Sequence, residues 1–134
     1  MEEDYDGAEK RKFKRVVFSA GDEVIGVVTW PEHGEEPFAY RVSDIGAGGM
    51  RFILTREKAP QIIDFNDTLH LREIKGKSQL EFVAGVALEV RWVIEHEMFE
   101  HMVIGCEFVN IEADVQKQID AFVETELAAK NQDS

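Results

Sequence analysis

The chain has 134 residues, a hydrophobic fraction of 44% and a formal net charge of −12. That length suits one domain with one core, and the acidic balance argues against a polynucleotide binder, which relies on a basic surface. No run approaches the ~18 apolar residues of a membrane span, the acidic start Met1-Glu2-Glu3-Asp4 is unlike a secretory signal, and the single cysteine, Cys106, can form neither an internal disulfide nor a thiolate cluster. A cytoplasmic protein is expected, with no membrane insertion, no metal and no cofactor.

Residues 1–9 are polar and acidic without periodicity, which predicts a flexible tail. Lys10-Arg11-Lys12-Phe13-Lys14-Arg15 follows and holds five of the 15 basic residues. A dense basic spot on an acidic protein is a candidate anion site. Arg11 and Arg15 stand at i and i+4 just before the first β-prone run, Val16-Val17-Phe18. Glu23 to Trp30 reads as a strand, with Val24, Val28 and Trp30 on one face. Pro31 to Pro37 is a loop by composition, and Phe38 to Ser43 is another strand.

Asp44-Ile45-Gly46-Ala47-Gly48-Gly49 reads as a turn whose glycines let backbone approach a ligand closely. Met50 to Leu54 resumes a strand, and residues 55–66 are irregular around Pro60. Thr68 to Ile74 alternates as a strand does, and Lys75-Gly76-Lys77-Ser78 predicts a tight hairpin. Leu80 to Ile94 reads as one long strand bent at Gly85. A turn at Glu95-His96-Glu97 returns the chain along Met98 to Val109. His96 and His101 among the nearby glutamates match no zinc spacing and read as a polar hairpin tip.

The period changes after Asn110. Val115, Ile119, Phe122, Val123 and Leu127 recur at helical spacing, with Asn110 as the cap and a frayed end over residues 130–134. The expected fold is mainly β: six or seven antiparallel strands closing into a barrel, then one C-terminal amphipathic helix, in a single domain over residues 10–129.

The order of these landmarks resembles the PilZ domain. Its signature is RxxxR near the N-terminus, then [D/N]xSxxG some thirty residues later between two strands. Arg11 to Arg15 fits the first motif. Asp44 to Gly49 fits the second at Asp44 and Gly49 and departs at Gly46, where the family usually has serine. Leu88-Glu89-Val90-Arg91-Trp92-Val93, Ile104-Gly105-Cys106-Glu107-Phe108-Val109 and the closing helix also resemble the family, so the likeness covers about residues 10–127.

The resemblance implies a receptor for cyclic di-GMP, not an enzyme, acting through a protein effector in motility, exopolysaccharide or biofilm control. It also allows a degenerate adaptor that no longer binds nucleotide. The chemistry suits the ligand. Guanidinium groups grip phosphate bidentately or meet a purine edge, and a carboxylate accepts from guanine N1–H and N2–H. The expected ligand-binding residues are Arg11, Arg15, Asp44, Gly46 and Gly49, with Lys10 adding positive field and Trp92 offering a stacking face. A missing serine hydroxyl is worth roughly 0.5–1.5 kcal/mol, so Gly46 is expected to weaken binding by about tenfold or less.

Overall fold

The computed structural model describes residues 14–60, 62–95 and 100–133. The predicted acidic tail, Lys10 and Arg11 therefore lie outside the described residues, as do His96 and Met98. Among the described residues, seven strands run in chain order: β1 Arg15–Val17, β2 Ile25–Thr29, β3 Phe38–Gly46, β4 Gly49–Thr55, β5 Thr68–Lys75, β6 Ala87–Glu95 and β7 His101–Val109. The α-helix α1 spans Ala113–Asp133.

Every strand pairing is antiparallel. The ring β2-β3-β4-β7-β6-β5 closes through the β2–β5 pair, so six strands form a barrel. Closure leaves those strands no free edge. The remaining strand, β1, is an addition. Strand β3 is long enough to hold two partners on one side: β2 pairs with its first half, at Phe38 to Arg41, and β1 with its last three residues, Asp44 to Gly46. Arg15, at the start of β1, is therefore placed directly beside the glycine turn.

Inward positions of the alternating strands fill the interior. Trp30, Tyr40, Phe52, Leu54, Leu69, Leu71, Leu88 and Ile104 are fully buried there. The indole N–H of Trp30 donates to the Tyr40 hydroxyl at 3.0 Å, and that hydroxyl donates to the Lys58 carbonyl at 2.7 Å. Ile119, Phe122 and Val123 of α1 join the same core. Each such side chain contributes about 1.5–3 kcal/mol relative to exposure, which holds the helix against the barrel.

Three expectations are corrected. Residues 75–94 are not a hairpin with one long strand: Ser78–Val83 is a 3₁₀ turn that buries Leu80 and Val83, and β6 starts only at Ala87. The i,i+3 spacing of Leu80 and Val83 points both inward, and Gly85 takes φ +100, outside the strand region. The turn predicted over Asp44–Gly49 shrinks to Ala47 and Gly48, because β3 runs on to Gly46. Asn110 does not cap the helix; it takes a left-handed φ of 54 that turns the chain out of β7. Helix α1 runs on to Asp133, and the Lys130 ammonium donates to the Val17 carbonyl at 2.8 Å.

Burial pushes the Tyr40 phenol from 10.0 up to about 12, opposed by the hydrogen bond from Trp30. Burial likewise pushes the Cys106 thiol from 9.0 up to about 12. Both groups stay neutral in the fold while the unfolded chain ionises. Their stabilisation is complete below pH 9.0 and lost as pH rises towards about 12. Chemical denaturation at stepped pH is expected to show this alkaline decline. Cys106 is expected to resist alkylation at pH 8 until the protein unfolds.

Candidate ligand-binding site

The outer face of the barrel is built by the same alternation that fills its inside. On β3, Val42 and Ile45 point inward, and a register shift between Val42 and Asp44 sets Asp44 and Gly46 on the outside. On β4, Gly49, Arg51 and Ile53 share that outer face opposite Gly46, Asp44 and Arg41. Strand β1 lies along the other edge, with Arg15 opposite Gly46 and Val17 opposite Asp44.

Asp44 is the centre of this surface. It is only 2% exposed although it stands on the outer face, because two arginines cover it. The Arg15 guanidinium donates to Oδ1 in a close ion pair across 29 residues of sequence. From the opposite side, Nε of Arg51 lies 3.3 Å from Oδ2. A charge this buried needs such partners, since an unpaired carboxylate costs several kcal/mol to desolvate. The guanidinium of Arg51 also stands 5.3 Å from the centre of the Trp92 ring, a cation–π contact.

Two glycines are required by close approach. A Cβ at Gly46 would fall 2.6 Å from the Lys14 carbonyl oxygen and 3.2 Å from Cγ of Arg15. A Cβ at Gly49 would fall 2.0 Å from the Cys106 carbonyl oxygen. Gly49 thus lets β4 lie against β7, and Gly46 lets the β1 backbone seat on β3. The departure from serine at position 46 has a structural counterpart: here the arm occupies the space a side chain would fill.

The helix touches both parts of the site. Gln116 donates to the Ala47 carbonyl in the glycine turn at 3.1 Å. Lys14 pairs with Glu124 at 3.3 Å, and Lys130 reaches Val17 as noted above.

Of the predicted site residues, Arg15, Asp44, Gly46, Gly49 and Trp92 come together on one face, with Trp92 joined through Arg51. Lys10 and Arg11 lie outside the described residues. Strand alternation predicts Arg91 and Trp92 on opposite faces, but a register shift between Val90 and Trp92 leaves both part-exposed. Arg91 is engaged away from Asp44, with Glu107 at 3.0 Å, Glu89 at 3.3 Å and Asn66 at 2.8 Å. Arg51 was not among the predicted residues. Its signal was the two-residue period from Gly49, which puts it on the outer face. Among the described residues, no group of three or more His, Cys, Asp or Glu could hold a metal ion. No described helix is long and apolar enough to cross a membrane.

The sequence matches the PilZ domain family over residues 9–125. No curated protein matches it. Among solved structures it is similar to MrkH of K. pneumonia in complex with c-di-GMP, at 15% identity and a TM-score of 0.71, over 93% of this chain and 56% of that one. It is similar to the inhibitor of motility MotI/DgrA of Bacillus subtilis, at 18% identity and a TM-score of 0.62, over 90% and 53%. The PilZ domain of YcgR from Escherichia coli with c-di-GMP matches at 13% identity and a TM-score of 0.64, over 93% and 99%. The chain thus spans little more than half of MrkH and MotI and nearly all of the YcgR domain. At such identities these structures share the fold. With the barrel, the closing helix and a sequence match over most of its length, the chain belongs to the PilZ domain family.

Proposed function

We propose that the chain is a receptor for c-di-GMP, acting in the cytoplasm and passing the signal to a protein effector. The observation that supports this most is the meeting of Arg15 and Asp44 on the outer face of a PilZ barrel. Asp44 accepts from guanine N1–H and N2–H, while Arg11 and Arg15 take the phosphates or the outer purine edge. Trp92 flanks the site through its contact with Arg51, and Lys10 adds local positive field. Gly46 and Gly49 seat the neighbouring strands closely around Asp44.

In the structure Arg15 pairs with Asp44. Ligand and arginine therefore compete for one carboxylate, and binding moves the arm. Helix α1 contacts both the arm and the glycine turn, so that movement reaches a surface an effector can read. The net charge of −12 disfavours a polynucleotide as that effector.

A second reading is an adaptor that binds no nucleotide. It is favoured by the double coverage of Asp44 and by the Lys14 carbonyl over Gly46. Isothermal titration with c-di-GMP separates the two. Saturable binding in the micromolar range or tighter is expected. No heat at high micromolar ligand overturns the receptor reading and leaves the adaptor.

A further inference from the structure

Asp44, Arg51, Gly105 and Trp92 form one unbroken row across four neighbouring strands. Asp44 faces Arg51 between β3 and β4, Arg51 faces Gly105 between β4 and β7, and Trp92 faces Gly105 between β6 and β7. Three strand spacings of about 4.8 Å make the row roughly 14 Å long. Its side chains leave no gap. Nε of Arg51 is 3.3 Å from Asp44, and its guanidinium carbon is 5.3 Å from the Trp92 ring centre. The indole lies down on Gly105, where a Cβ would come within 2.0 Å of its Cε2 atom. Only glycine at 105 lets the tryptophan sit low enough to meet Arg51.

We infer that Arg51 is the residue that makes this site specific for guanine over adenine. The inference rests on the reading of the chain as a cyclic dinucleotide receptor, and it assigns a role to a residue outside both sequence motifs. The argument is the order of hydrogen-bonding groups. The Watson–Crick edge of guanine presents an acceptor, O6, followed by two donors, N1–H and N2–H. Arg51 followed by Asp44 presents a donor followed by an acceptor carboxylate, in register on adjacent strands. Adenine presents the reverse, an N6–H donor beside the N1 acceptor. Against the same row it would set donor against donor and lone pair against carboxylate. Arg15 does not serve this purpose, because it reaches Asp44 from the strand on the far side and must leave when ligand arrives. Arg51 remains, keeps the carboxylate compensated, and stays in cation–π contact with Trp92. Its planar fork suits a purine edge better than the point charge of a lysine.

The test is paired titration of c-di-GMP and cyclic di-AMP into wild-type protein, Arg51→Ala and Arg51→Lys, with thermal melts of each. Wild type is expected to prefer c-di-GMP. Arg51→Ala is expected to reduce that preference by about 10-fold to 100-fold, the usual value of one good base-edge contact. The loss falls on c-di-GMP, with cyclic di-AMP little changed. Arg51→Lys keeps a cation beside Asp44 and is expected to melt near wild type, yet still lose several-fold of the preference. If both dinucleotides weaken equally in Arg51→Lys, or the preference is unchanged in a folded variant, Arg51 is structural and the inference is wrong. If wild type binds c-di-GMP without preferring it to cyclic di-AMP, the receptor reading survives and the inference does not. If wild type binds neither, both fall.

Discussion

Arg15→Ala is expected to lower c-di-GMP affinity by about 10-fold to 100-fold, the lost phosphate contacts being partly offset by removal of the competitor for Asp44, and to destabilise the protein as well. The binding loss follows from chemistry: hydrogen bonds to charged groups are worth about 1.5–3 kcal/mol each, and a guanidinium makes two to a phosphate. The stability loss follows from the position of Asp44, which is 2% exposed and shared between Arg15 and Arg51. Removing one partner of a buried pair costs about 3–5 kcal/mol when the other is left alone. Arg51 remains, so about 1–3 kcal/mol is expected here, with Arg15→Lys recovering part of it. The coupling is measurable. In Asp44→Ala protein the further change Arg15→Ala should cost much less, because no charge is stranded. Calorimetric titration and urea unfolding of the four proteins in this cycle would decide it. Affinity within threefold of wild type in folded Arg15→Ala would remove Arg15 from the site.

Gly46→Ser, which restores the residue usual in the family, is expected to destabilise the ligand-free protein by about 1–3 kcal/mol, the usual cost of overpacking. Its Cβ would press on the Lys14 carbonyl oxygen at 2.6 Å, a backbone atom that cannot rotate away. Strand β1 must lift from Gly46, straining the Arg15–Asp44 pair and the packing of Val16, which is fully buried. Under the proposed mechanism the bound arm has already moved, so the penalty falls on the free state alone. Affinity for c-di-GMP should then rise, tenfold for each 1.4 kcal/mol of strain relieved, with any hydrogen bond from the new hydroxyl adding to it. A lower melting temperature without ligand and tighter binding with it is the expected signature. An unchanged melting temperature would show that the arm does not press on Gly46. Weaker binding in a folded variant would overturn the competition between arm and ligand. The expectation from sequence, that glycine merely forfeits a hydrogen bond, thereby becomes a question about the arm.

The outer-face row also explains why the binding motifs lie far apart in sequence. Arg15 and Asp44 are partners because β1 and β2 divide one edge of β3 between them. Gly49 and Arg51 are neighbours of Asp44 because a two-residue turn folds β4 straight back along β3. A surface assembled from strand register responds as a unit, since a one-residue slip would turn every one of these side chains inward. Under the proposed function, the barrel sets the order of donors and acceptors that a ligand meets as well as supplying stability.

Amino-acid order alone determined the local features. Two-residue alternation marked most of the strands, the 3.6-residue recurrence of Ile119, Phe122 and Val123 marked the helix, and Arg11, Arg15, Asp44 and Gly49 in succession marked the family and its ligand class. Each is legible because side-chain period depends only on near neighbours along the chain, and the motifs are read from residue order alone. The tertiary structure decided what depends on distant ones. Leu80 and Val83 became a buried 3₁₀ turn because the core beneath α1 had room for them. Asp44 and Trp92 owe their facing to register shifts that local alternation does not encode. Arg51 became part of the site through its pairings to β3 and β7, and Gly46 acquired its meaning only when the Lys14 carbonyl settled over it. Register and close approach are properties of two segments at once, and neither segment carries them by itself.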